Sequence, residues 1–240
     1  MAISVDRVYQ KVLALANKEQ RGYITPQEFN LFADQAQMEI FEQYFYDINQ
    51  LKRIPGNSQE YSDITHNLNE KIAFFESTSK FQAVGTPPVF TFQADDLYRL
   101  GTVIHRHGDN NFDVEVQEVQ QNESIYINQS PLAKPTLRRP TYVRTSELTI
   151  DFFPASFVVI NNSLTATYVR KPIKPSWGYF IIGDKALYDS QKAINFELHA
   201  SEESELINKI LRLAGISLKN PELIQSAQGA EIMQVQQEKK

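Results

Sequence analysis

The residues most suggestive of chemistry lie between Asn17 and Glu28, because these twelve positions have the length of a calcium-binding EF-hand loop, with Gly22 sixth and Glu28 twelfth. The oxygen ligands such a loop needs are mostly missing. Position one is Asn17, position three is the longer Glu19, and position five is the cation Arg21. A local reading explains the same residues: Gly22 ends one helix, and Thr25-Pro26-Gln27-Glu28 opens the next with a capping box. His105 and His107 alternate on an expected strand and so share a face, with Asp109 nearby, but no clear third ligand completes a metal site. His66 and His199 sit without an obvious Ser or Asp partner. The acidic pairs Asp95-Asp96 and Glu202-Glu203 are adjacent in sequence, so their side chains point different ways. With 9 Gly there is no phosphate-cradling loop or dinucleotide fingerprint, and 0 Cys removes thiol chemistry and zinc-thiolate sites. The expectation is a non-enzymatic protein with no catalytic residues, no metal and no cofactor.

The remaining candidates are basic. Lys134 to Arg144 holds Arg138, Arg139 and Arg144 among prolines and Tyr142, and a second stretch, Arg170-Lys171-Pro172-Ile173-Lys174, leads to Trp177. Basic residues interleaved with aromatics can follow a phosphate backbone, yet the chain carries a net charge of −5, which favours docking to acidic protein surfaces. Arg138, Arg139, Arg144, Arg170 and Lys171 are therefore read as partner-docking residues. The opening Met1 to Arg7 brings charge before any apolar core, and no run approaches a membrane span, so the expectation is synthesis in the cytoplasm and no membrane partner.

The elements that must position these residues follow from periodicity. Val5, Val8, Val12, Leu15 and Ala16 predict a first helix; Phe29, Phe32, Ala36, Ile40, Tyr44 and Ile48 a long second; Tyr61, Ile64, Leu68, Ile72 and Phe75 a third. Beyond Val84 the composition turns to Val, Ile, Thr, Tyr and Phe with frequent turn residues. Strands are expected at 89–92, 97–105, 112–119, 124–128, 141–144, 149–153, 164–170 and 179–182. Helical spacing returns at Ser201 with Leu206, Ile207, Ile210 and Leu213, and Asn220-Pro221-Glu222 starts a last helix. That last helix carries Leu223, Ile224, Ile232 and Met233, more apolar residues than a frayed end needs, and reads as a docking arm. The expected fold class is α+β, with N- and C-terminal helices packed as a bundle and an inserted antiparallel β barrel or sandwich. The corresponding parts are 1–83, 84–195 and 196–240.

Residues 16–51, ANKEQRGYITPQEFNLFADQAQMEIFEQYFYDINQL, and 203–227, ESELINKILRLAGISLKNPELIQSA, together resemble virion structural proteins of short-tailed, notably crAss-like, bacteriophages. The resemblance implies a head-to-tail connector or neck ring protein, a homo-oligomer commonly of twelve copies. Such a ring joins the portal and capsid to the tail proteins and surrounds outgoing DNA without reading its sequence. It also implies a place in the neck or tail of the virion after synthesis in the host bacterial cytoplasm. Two alternatives come from the residues themselves. One is a calcium module on Asn17 to Glu28; the other is a tail β module that binds glycan or receptor through Tyr126, Tyr142, Tyr168 or Trp177.

Overall fold

The computed structural model describes residues 3–17, 24–53, 59–84, 89–106, 113–136, 138–154, 164–183, 185–217, 225, 227–230 and 232–233. The chain is α+β, and it divides into two compact units, one made of residues 1–74 and 172–240, the other of 75–171.

In the first unit, α1 (Val5–Asn17), α2 (Pro26–Arg53), α3 (Gln59–Ala73) and α5 (Glu203–Ser217) form where the apolar spacing places them, except that Phe75, expected on the third helix, lies past its end in the second unit. The helix α5 lies against α1 and α2, and α3 lies against α2. Val5, Val8 and Val12 of α1, Phe29, Ala33, Ile40 and Phe41 of α2, and Leu206 and Ile210 of α5 are buried. Small Ala33 and Ala36 let neighbouring segments approach the α2 backbone closely. Residues 172–198 belong to this unit, and two side-chain amides on α2 hold them there. Gln37, fully buried, donates to the Ile173 carbonyl at 2.9 Å and accepts from the Glu197 N–H at 3.1 Å. Asn30 accepts from the Trp177 N–H at 2.7 Å. Ile173, Trp177 and Glu197 lie outside any strand, and these amides satisfy their main-chain groups.

The second unit is a closed barrel of seven strands in the order β1 (Glu76–Val84), β2 (Val89–Phe92), β6 (Thr149–Phe153), β5 (Thr141–Arg144), β4 (Asp113–Glu118), β3 (Leu97–Arg106), β7 (Leu164–Arg170), with β7 returning to β1. Alternation along β2, β6 and β7 turns Phe90, Phe92, Ile150, Phe152, Leu164, Ala166 and Tyr168 inward. The Phe92 ring meets that of Tyr168 edge to face at 4.9 Å and lies tilted against that of Phe81 of β1 at 5.1 Å. Every strand pairing is antiparallel except β4 with β5, which is parallel, Glu118 opposite Tyr142. A parallel pairing requires a long crossover, and residues 119–140 supply it with the helix α4 (Gln121–Gln129).

That crossover corrects one expectation, since 124–128 is part of α4 and not a strand. The segment makes no ladder and none of its residues is buried, so the β-branched Ile125 and Ile127 meet no sheet on which their strand preference could act. Two strands went unexpected. The first, β1, is polar in Glu76-Ser77-Thr78-Ser79, and only Phe81 of its residues is buried, so no alternation announced it. Its inclusion moves the first boundary from 83/84 to 74/75, and the attachment of 172–198 to α2 moves the second from 195/196 to 171/172. The second is β9 (Lys185–Tyr188), paired with β8 (Tyr179–Ile182) in a separate two-stranded sheet of the first unit.

Candidate functional site

Of the loop from Asn17 to Glu28, residues 18–23 lie outside the described residues, and its far end is a closed capping box. The Thr25 N–H donates to Glu28 Oε2 at 3.0 Å, the Thr25 hydroxyl to the same oxygen at 2.8 Å, and the Glu28 N–H to Thr25 Oγ1 at 3.3 Å. The Thr25 N–H and then its hydroxyl hold the Glu28 carboxyl below its ordinary value of 4.5. A depressed carboxyl pKa stabilises the fold above that ordinary value, and the contribution fades as pH falls through the lowered one. Thr25→Ala is expected to cost about 1 kcal/mol of helix stability. In the same variant the Glu28 titration should move upward when followed by carboxyl NMR. An unmoved titration would contradict the box.

The histidines do not make a metal group. His105 is buried inside the barrel, 6.1 Å from the Phe152 ring, while His107 and Asp109 lie outside the described residues. Among the described residues no cluster of three His, Asp or Glu could hold a metal ion. His199 does have a serine partner: its Nδ1 lies 2.8 Å from Ser201 Oγ and accepts the Ser201 N–H at 3.3 Å. The Ser201 hydroxyl in turn reaches Glu202 Oε1 at 3.2 Å. The order is acid, serine, histidine, so the imidazole is not set between acid and hydroxyl as a catalytic base must be. This is the cap of a 3-10 turn, Ala200–Glu202, that leads into α5, and His199 is the capping residue.

Glu202 and Glu203 diverge, and each ties the start of α5 to a different N-terminal helix. Glu202, 2% exposed, pairs with Lys71 of α3. Glu203 takes Arg7 Nε at 3.1 Å and Lys11 Nζ at 2.5 Å, both from α1. Farther along, Arg212 Nη2 reaches Glu39 Oε2 of α2 at 2.6 Å.

Arg138 and Arg139 are brought together with two acids around a cavity of about 520 Å³ in the barrel unit, lined also by Glu115, Glu118, Tyr142 and Gly101. The Tyr142 hydroxyl donates to Glu118 Oε2 at 3.2 Å. Burial, and then the negative charge of Glu118, push that phenol up to about 12. Gly101 is required by the closeness of β7: a Cβ there would meet the Thr167 carbonyl oxygen at 2.9 Å. The four charges balance, and the cavity suits a polar protein surface better than a phosphate chain. Arg144 is turned elsewhere, donating to the carbonyls of Ser146 at 3.2 Å and Glu147 at 3.0 Å, which closes its own turn. Arg170 lies over the Phe75 ring at 5.9 Å, and the Lys171 N–H donates to the Asp96 carbonyl at 2.7 Å. These basic residues therefore do not form one patch. Of the docking arm, Leu223 and Ile224 lie outside the described residues, and Ile232 and Met233 are exposed.

Of the four aromatics considered for stacking, Tyr142, Tyr168 and Trp177 are buried, and Tyr126 on α4 is exposed.

The surface that sequence reasoning missed is the β8–β9 hairpin. Phe180, Ile181, Ile182, Leu187 and Tyr188 are all exposed, Ile181 at 69% and Ile182 at 60%. A signal was present in the sequence: the dipeptide Gly-Asp between Tyr-Phe-Ile-Ile and Lys-Ala-Leu-Tyr is the mark of a tight hairpin, and Gly183 adopts a φ of 52°. Its base is fixed. Trp177 stacks on Tyr179 at 5.8 Å and donates its indole N–H to Asp6 Oδ1 at 3.0 Å. A Cβ on Gly178 would strike the backbone of Lys192, Ala193 and Asp189 at 2.6 to 2.8 Å, so the strand enters against main chain.

No protein-family model and no curated protein matches the sequence. No described helix is long and apolar enough to cross a membrane.

Proposed function

We propose that the chain is a non-enzymatic structural protein of a bacteriophage neck, copies of which close into a ring that joins the portal and capsid to the tail and surrounds the outgoing DNA. One observation carries the reading. The two stretches whose wording resembles such proteins, 16–51 and 203–227, are far apart in sequence, yet α2 and α5 lie against each other in one unit and share the Arg212–Glu39 ion pair. On this reading the N- and C-terminal helices form one bundle that makes the ring wall, and the barrel is inserted into it. A ring needs heterologous contacts, two different surfaces on each copy. The exposed hairpin and the Arg138–Arg139 cavity are surfaces of different chemistry that suit such contacts. Ile232 and Met233 of the docking arm suit attachment to portal or other tail proteins. The net charge of −5 per copy suits an anionic conduit, along which DNA slides without sequence-specific binding.

Native mass spectrometry with negative-stain imaging tests this. The expected result is a ring near twelve times the 27.6 kDa chain, unchanged by calcium. A chain that stays monomeric at every concentration overturns it.

A further inference from the structure

We propose that the β8–β9 hairpin is the seam between neighbouring copies: the outer edge of β8 on one chain pairs with the outer edge of β9 on the next. This rests on the ring reading and names the contact that closes it.

The barrel is closed, so its seven strands leave no edge to share. Among the described residues the hairpin is the one sheet with free edges, and it has two. An isolated two-stranded sheet is marginal in water, and this one is apolar on both faces with only Lys185 charged among its described strand residues. Its exposed side chains offer roughly 500 Å² of apolar surface, a large share of the roughly 800 Å² per partner in a standard interface. The rigid base formed by Trp177, Tyr179 and Gly178 presents this surface in a fixed direction.

A second copy is the occupant because each copy carries one free β8 edge and one free β9 edge, so that the two kinds match in number. Exposed apolar residues flank both edges, Ile181 and Ile182 on β8, Leu187 and Tyr188 on β9. A twofold β8-to-β8 contact would cover one edge and leave the other in water. Head-to-tail pairing covers both, and a series of such contacts closes as an up-and-down sheet two strands per copy.

The register identifies the groups that make the seam. Asp189 N–H donates to the Gly178 carbonyl, and antiparallel pairs alternate, so the Tyr179–Tyr188 and Ile181–Ala186 pairs turn their N–H and C=O groups outward. Proline at Ile181 or Ala186 removes an outward donor and leaves the hairpin's own bonds intact.

The experiment compares the full-length chain with Ile181→Pro and Ala186→Pro by native mass spectrometry, with Trp177 fluorescence reporting the fold. The expected result is that each variant alone is a folded monomer. Mixed, they form a one-to-one dimer and no ring, because one intact β8 edge meets one intact β9 edge. Hydrogen exchange on the unaltered ring gives a readout that needs no variant: the Ile181 and Ala186 amides should be protected at least tenfold relative to dissociated chain. Rings that persist in both variants, or free exchange at those amides within the ring, overturn the seam and leave the ring reading standing. Ala186→Pro dimerising by itself overturns head-to-tail pairing in favour of the twofold contact. A monomeric unaltered chain overturns both readings.

Discussion

Lys71→Met lowers the stability of the helical unit by about 3 kcal/mol, the scale expected when the charged partner of a buried carboxylate is removed. Glu202 is 2% exposed and its carboxylate accepts from Lys71 and from the Ser201 hydroxyl. Lys71 also lies over the Tyr44 ring at 5.5 Å, so its ammonium serves α2 and the turn that leads into α5 together. Without it a carboxylate remains inside the unit with one neutral donor. The double variant Lys71→Met, Glu202→Met should recover most of the loss, because the cost lies in the orphaned charge. Urea unfolding followed by fluorescence reads this cleanly: the chain has 1 Trp, and Trp177 is buried in the same unit. Equal midpoints for the unaltered chain and the single variant would contradict it.

Phe92→Ala is expected to cost the barrel about 3–5 kcal/mol, the range for removing a buried aromatic. Phe92 sits between Phe81 and Tyr168, on three adjacent strands β2, β1 and β7. The closed strand order prevents these strands from moving inward independently, so most of the void stays open. Hydrogen exchange at the amides of β1, β2 and β7 should accelerate accordingly. Unchanged protection there would show that the barrel collapses onto the gap.

Much of the fold was legible where the side chains themselves carry a period. Phe90 and Phe92, Ile150 and Phe152, and Leu164, Ala166 and Tyr168 alternate, and the strands holding them have the expected bounds. The stripe from Phe29 to Tyr44 likewise marks α2, and its Thr25–Glu28 box closes as its residues suggest. What stayed hidden depends on partners. Glu76 to Ser79 is strand because β7 offers a ladder to it, and Ile125-Tyr126-Ile127 is helix because the parallel β4–β5 pairing requires a crossover. The site divides in the same way. Arg138 and Arg139 are neighbours in sequence and remain so at the cavity, but their counter-charges Glu115 and Glu118 come from β4. A hairpin with the composition of Tyr179 to Tyr188 reads as core; that it is exposed is known only from the folded chain.

The barrel begins and ends at one place. The Arg170 N–H donates to the Phe75 carbonyl at 2.9 Å, and Glu76 pairs with Val169, so the entry and exit of residues 75–171 lie side by side. Such a stem makes the barrel a cassette. Recombination of coding sequence at those two points could exchange it for another module, or delete it for a short turn, without re-routing any helix. The barrel would then be free to diversify while the helical unit is inherited intact.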